Sequence, residues 1–247
     1  MPPSAPEKRP YRPAKDPFRI LPLGDSALTI EFGNEIDPQI NAQVVAFANT
    51  IVGQQWDGIL DVVPTFRSVT VFFDPFQMDS AELTKKLTRL PRPGKNHSAL
   101  IGTIHEIPVL YGGEYGPDLE DVAAFADLPP AEVAALHASM TYRVYMLGFS
   151  PGFPYLGLVP EQLAMPRRPT PRTKVPAGSI GIADRQTGIY PTTTPGGWQL
   201  IGRTPLDIYR KTRSDPFLLK PGDLVRFRPI DRDDFDRLRH DNHHAVH

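Results

Sequence analysis

The stretch from Tyr142 to Pro205 constrains the fold more than any other part of this chain. Its core reads GFSPGFPYLGLVPEQLAMPRRPTPRTKVPAGSIGIADRQTGIYPTTTPGGWQLIGRTP, with glycine and proline so dense that no helix beyond a turn or two survives in it. A disordered Pro/Gly linker lacks aromatics and branched aliphatics. This segment instead carries Phe149, Phe153, Tyr155, Ile180, Ile182, Tyr190 and Trp198, enough apolar surface to bury. The mixture predicts short strands and tight turns, with glycine allowing positive φ or close backbone approach and proline fixing corners.

On the N-terminal side the pattern changes twice. Residues 1–16 combine charge with proline and predict a disordered tail. From Phe18 the alternation of Leu28, Ile30 and Phe32 against Ala27, Thr29 and Glu31 predicts a strand. Asp37-Pro38 predicts a capped helix whose apolar stripe is Ile40, Val44, Phe47, Ala48 and Ile51, closed near Gly53. Two strands (58–63 and 67–73), a helix opened by Asp79 with Glu82, and a further strand over 99–110 complete the order strand, helix, strand, strand, helix, strand. That order is the one of a ferredoxin-like split unit.

A helical pair follows, the first capped by Asp118 and the second opened by Pro129-Pro130. Strand signals then run to the end: 179–183, 188–190, 198–201, 207–209 and 224–230. Many short strands with frequent turns predict a β-barrel or closed sandwich. The fold class expected is therefore α+β, with a small domain over 17–97, a barrel domain over 98–235 and a charged, disordered tail over 236–247. His240, His243, His244 and His247 fall in that tail, so no metal site is expected from them.

Composition removes several classes of function. The net charge of −1 favours neither nucleic acid nor a membrane surface as partner. Absence of cysteine excludes disulfides, thiolate metal sites and cysteine nucleophiles, and fits a reducing cytoplasm. No run reaches transmembrane length.

Three constellations carry possible chemistry. Arg167, Arg168, Arg172 and Lys174 lie among prolines, so they decorate an extended loop able to clamp a phosphate or carboxylate; a solvated loop is the bland alternative. Pro195-Gly196-Gly197-Trp198, preceded by Thr194, offers backbone N–H groups and a hydroxyl to an anion, or is simply a turn with a packed tryptophan. Phe149, Phe153 and Tyr155 suit the aromatic wall of a pocket. Ser150 is not read as a nucleophile, because Pro151 has no N–H to offer an oxyanion. His137 stands on an apolar helix face beside Leu136 and Met140, where a core histidine is the commoner outcome.

The motifs GFSPGFPYLG, PRRPTPRTKVPAGSIGIA, QTGIYP, PGGWQLIGRTP and LLKPGDLVRFRPI resemble the KipI family, also called allophanate hydrolase subunit 1 or the B subunit of 5-oxoprolinase. The resemblance runs from about Phe18 to Ile230. It implies a small ferredoxin-like N-terminal domain followed by a cyclophilin-like β-barrel. It also implies work in a complex, with a KipA-like protein and a LamB/YcsF-like protein as the other two 5-oxoprolinase components, in the ATP-dependent opening of 5-oxoproline to glutamate. Other relatives form half of the biotin-linked carboxyltransferase of urea amidolyase, and one inhibits a histidine kinase. On the matching positions the resemblance implies catalytic roles for His137 and Arg172, and substrate or anion contacts from Arg167, Arg203, Gly196, Gly197, Phe149, Phe153 and Tyr155; Lys174 joins the catalytic set as a further cation of the loop, and Thr194, where the family often has serine, joins the contacts through its hydroxyl. Asp184 stands where the family often has glycine, adding a carboxylate near the expected groove.

Overall fold

The computed structural model describes residues 18–92 and 102–244; the expected N-terminal tail and the boundary placed between 97 and 98 lie outside them. The chain is a mixed α+β protein, with a four-stranded antiparallel sheet backed by helices and a closed seven-stranded barrel.

The sheet is built from β1 (Arg19–Pro22), β2 (Ala27–Glu31), β3 (Ile59–Pro64) and β4 (Ser68–Phe73), in the order β1-β2-β4-β3. Helix α1 (Pro38–Gly53) starts where Asp37 accepts hydrogen bonds from the N–H groups of Gln39 and Ile40 at 2.7 and 2.9 Å. Helix α2 (Ser80–Arg89) starts where Asp79 accepts from Glu82 N–H at 2.7 Å. Their apolar stripes meet Leu28, Ile30, Val69 and Val71 of the sheet, and burying a side chain such as Phe47 or Leu83 contributes roughly 2–3 kcal/mol.

One element departs from the expected split unit. The strand after α2, β5 (Ile104–Tyr111), belongs to the barrel, and β1 fills the sheet edge that it would have taken. A ferredoxin-like sheet needs a fourth strand beside its first, and any strand of the right polarity closes it. Here β1 takes that place and β5 joins the barrel.

The barrel runs β10-β7-β6-β13-β5-β12-β9, with β6 (Thr141–Leu147), β7 (Pro154–Gly157), β9 (Ser179–Ala183), β10 (Gln186–Ile189), β12 (Gln199–Arg203) and β13 (Leu224–Pro229). Only β13 and β5 pair in parallel. A short ribbon of β8 (Arg172–Val175) and β11 (Thr194–Gly196) stands beside it. Residues 207–209 form no strand; Tyr209 makes a single bridge to Phe217. Helices α3 (Leu119–Ala126) and α4 (Pro130–Ser139) add Val122 and Val133 to the barrel core.

Sheet and barrel are joined by Asn41 of α1, which is fully buried. Its amide donates to the carbonyls of Thr65 and Tyr145, each at 3.0 Å, and its oxygen accepts from Arg143 Nε at 2.8 Å. The C-terminal segment is also ordered. Residues Arg232–His244 form α5, where a disordered tail is expected from 236. Asp231 caps it by accepting from Asp234 N–H at 2.9 Å, and Phe235 buries itself against Tyr115 at 4.7 Å between ring centroids. Charge-rich composition hides that anchor, since one aromatic side chain is enough to dock a short helix. Among the described residues no helix is long and apolar enough to cross a membrane.

Candidate functional site

Aromatic residues from the proline-and-glycine stretch converge beside the barrel core. Phe153 is almost completely buried, and the rings of Tyr155, Tyr190 and Trp198 meet it edge-on at 5.0, 5.1 and 5.4 Å. Edge-to-face contacts of this kind add to burial and fix ring orientation. The sequence permits the cluster because Gly188 lies beneath it: a Cβ there would stand 2.9 Å from Phe153 Cζ and 3.0 Å from Trp198 Cζ3. Phe149 leans on Phe153 at 5.5 Å but stays 63% exposed, so it forms a rim rather than a wall. These side chains, with Arg167 and the Pro195–Trp198 turn, enclose a cavity of about 270 Å³.

Arg167 supplies the charge of this cavity. Its guanidinium stacks 5.8 Å from the Trp198 ring and donates to no described side chain or carbonyl. Burial raises the Tyr155 and Tyr190 hydroxyls above their ordinary pKa, and the positive charge of Arg167 works against that rise. Both hydroxyls are therefore protonated at neutral pH.

The neighbouring arginines are committed elsewhere. Arg168 and Arg172 converge on the Asp118 carboxylate at 2.9 and 2.5 Å, and the other oxygen of Asp118 accepts Leu200 N–H at 2.6 Å. Asp118 is only 2% exposed. The expected helix cap is thus corrected: Asp118 occupies the cap position of α3, but its side chain makes no cap hydrogen bond and turns to the arginines. A buried carboxylate needs full pairing, and two guanidiniums with a backbone donor supply it. Arg172 accordingly anchors the loop; it does not stand open to a substrate.

The remaining expected site residues are distributed as follows. Lys174 is exposed on β8 and pairs with no described acidic group; Thr194 begins β11 and lies outside the cavity lining. Gly196 and Gly197 line the cavity, yet neither has positive φ, so they form no anion-binding nest. Gly196 is glycine for another reason: a Cβ there would sit 2.4 Å from the Tyr190 oxygen. Arg203 lies at a different cavity altogether. Asp184 takes φ 50°, the left-handed backbone that glycine favours and aspartate tolerates, and it does not line the aromatic cavity.

His137 also stands apart. It is fully buried where α4 meets the barrel, with Nδ1 2.8 Å from the Tyr111 hydroxyl and Nε2 3.0 Å from Thr187 Oγ1. Thr187 donates its own proton to Gly181 O, so it accepts from Nε2–H, and Nδ1 accepts from Tyr111. Burial lowers the His137 pKa to about 3. A neutral imidazole with both nitrogens engaged and no exposed atom has nothing to offer a substrate, and the expectation of catalysis by His137 gives way to that of a core residue. Asp118 is the residue that sequence reasoning missed, because its arginine partners lie 50 and 54 residues downstream and leave no local signal.

The carboxyltransferase domain, subdomain C and D, matches residues 18–219. The B subunit of 5-oxoprolinase from Bacillus subtilis is 44% identical over 88% of this chain and 95% of that protein. The chain belongs to the KipI family, that of the 5-oxoprolinase B subunits. Urea amidolyase of Saccharomyces cerevisiae is 24% identical over 91% of this chain and 14% of its own. Among solved structures, TTHA0988 superposes with a TM-score of 0.75 at 38% identity, covering 83% of this chain. The match spans only 40% of the TTHA0988 chain, so that KipI-family region sits inside a longer polypeptide.

Proposed function

We propose that this chain is the B subunit of an ATP-dependent 5-oxoprolinase, a cytoplasmic hydrolase complex that opens 5-oxo-L-proline to L-glutamate. Its partners in this reading are a KipA-like protein and a LamB/YcsF-like protein. The observation that carries the reading is the cavity itself: aromatic walls around about 270 Å³, with one uncommitted guanidinium, Arg167, at its edge. The substrate is a flat five-membered lactam bearing one carboxylate. The walls formed by Phe153, Tyr155 and Trp198 suit the ring, and Arg167 suits the carboxylate.

A lactam resists hydrolysis because resonance stabilises its amide. ATP, when bound to the complex, supplies the phosphoryl group that converts the lactam oxygen into a leaving group. Among the described residues no three histidine or acidic side chains gather as a cation-holding group. Its own residues bind and orient the lactam, exclude water from one face of it and fix its carboxylate. The family relation to 5-oxoprolinase B subunits supports the complex, and the closed pairing of His137, Arg168 and Arg172 supports a site completed by other polypeptides. Mixing the chain with the KipA-like and LamB/YcsF-like proteins, ATP and 5-oxoproline is expected to release glutamate. No gain over the two partners alone refutes the proposal.

A second reading, half of a biotin-linked urea carboxyltransferase, is favoured by the matching carboxyltransferase domain and the urea amidolyase relative. Urea has no carboxylate for Arg167. Biotin-dependent carboxylation of urea in the presence of a biotin carboxylase and carrier, insensitive to Arg167→Gln, would favour it.

A further inference from the structure

Arg203 belongs to the motif PGGWQLIGRTP, but the aromatic cavity does not use it. It lines a second cavity of about 270 Å³, between the end of β12, the turn at Pro176–Gly178 and helix α5. From the helix, Phe235 forms part of the floor and Arg239, four residues on, brings a second guanidinium to the same space. Thr193 and Thr204 add hydroxyl-bearing side chains.

The charges around this space are unbalanced. Arg203 rests on the Tyr115 ring at 5.2 Å, donates no side-chain hydrogen bond to any described residue, and has its Nε buried without an acceptor. Arg239 is exposed and forms no ion pair with a described residue. The acidic groups within reach are engaged by other cations. Asp207, on the cavity lining, accepts from Arg210 at 2.5 and 3.0 Å, and Glu114 accepts from Arg232 at 2.8 Å. Burial lowers the Arg203 pKa and the positive charge of Arg239 adds to that, while Tyr115 and the Glu114 carboxylate work against it. Arginine stays charged at neutral pH, so both guanidiniums are available to an anion from outside.

We propose that Arg203 and Arg239 form a binding site for a doubly charged oxyanion, a phosphate group, distinct from the aromatic cavity. Asp207 on the same lining is bound to Arg210, so the two guanidiniums keep a net positive charge that a dianion neutralises better than a monoanion. The ligand is free phosphate or the phosphoryl end of a nucleotide, which share this chemistry. The site depends on α5 docking through Phe235, which places Arg239 over the end of β12. It is independent of what the aromatic cavity holds, and it stands if the lactam assignment there fails.

The test is titration of the full chain with inorganic phosphate at constant ionic strength, read by calorimetry and by amide chemical shifts. Phosphate is expected to shift the amides of Gly178 and Thr204. Arg239→Gln, a change on an exposed helix face, is expected to weaken binding about tenfold, the loss of one charge-assisted contact. Arg167→Gln is expected to leave it unchanged. ADP binding more tightly than phosphate, with the same dependence on Arg239, identifies a nucleotide as the source; equal or weaker binding identifies free phosphate. Equal phosphate affinity in wild type and Arg239→Gln, shifts confined to Gly196 and Gly197, or an equal response to acetate overturns the proposal.

Discussion

The barrel's polar side chains fall into two regions with opposite accounting. In the closed region, His137 pairs with Tyr111 and Thr187, and Asp118 pairs with Arg168 and Arg172, whose Nε and Nη1 respectively are buried without an acceptor. In the open region, Arg167 at the aromatic cavity, and Arg203 and Arg239 at the second one, have no anionic partner among the described residues. Chemical type alone does not separate them, since arginines occur in both and two residues of one loop, Arg167 and Arg168, take different roles. The difference is the acceptor: the buried Asp118 carboxylate must be paired by the fold and draws Arg168 and Arg172 to it, whereas Arg167 pairs with no described carboxylate and keeps its solvation until a ligand replaces it. Binding capacity therefore resides in the open set, and the closed set holds the cavity in shape.

The sharpest way to break this division is Asp118→Ala. It leaves two guanidiniums and the Leu200 N–H without their acceptor, and the expected loss is about 3–5 kcal/mol in urea denaturation. A variant as stable as the parent would place Asp118, Arg168 and Arg172 in the open region after all. Trp198→Ala comes next. Trp198 is only 4% exposed, so removing it costs about 3 kcal/mol as well as a cavity wall. An unchanged unfolding midpoint would mean that the aromatic wall is loose and the cavity not preformed.

The pH dependence of stability tests the closed region without any substitution. His137 has a folded pKa of about 3, below the ordinary 6.5 that the unfolded chain regains. As pH falls below 6.5 the unfolded state takes up a proton that the folded state refuses. The stabilisation is complete above that point and is lost progressively toward pH 3. Between pH 6.5 and 5 the loss from this group is about 2 kcal/mol. Imidazole nitrogen shifts should report a neutral ring with the proton on Nε2 at pH 5; a ring that titrates near 6.5 would contradict closure.

The same division explains what could be read in the sequence. Asp37, Asp79 and the stripes of α1 and α2 were legible because caps and apolar periodicity are local. The aromatic cavity was legible in composition, since Phe153, Tyr155 and Trp198 among glycines have nowhere to go but a packed turn structure. Pairings across long separations were not. Asp118 with Arg168 and Arg172, and His137 with Thr187, join residues that only barrel closure brings together. The identity of the fourth sheet strand was hidden for a related reason: β1, four residues ending in proline, carries no strand signal of its own, and topology gives it the place expected for β5. Helix α5 had a readable sign in Asp231 followed by Phe235 and Leu238, outweighed by the charge around it.

The smallest expected effect is the most specific. Arg167→Gln removes a guanidinium with no hydrogen-bonded partner in the fold, so the unfolding midpoint should move by less than about 0.5 kcal/mol equivalent. In the reconstituted complex the KM for 5-oxoproline should rise about tenfold, the value of one charge-assisted contact, with kcat nearly unchanged because the carboxylate keeps its charge through the reaction and its contact with Arg167 is the same in ground and transition state. Arg167→Lys keeps the charge but loses the planar fork and the stack on Trp198, and it should recover only part of the affinity. A fall in kcat with KM unchanged would move Arg167 from holding the substrate to stabilising the reacting atoms. A loss of stability would return it to the closed set beside Arg168.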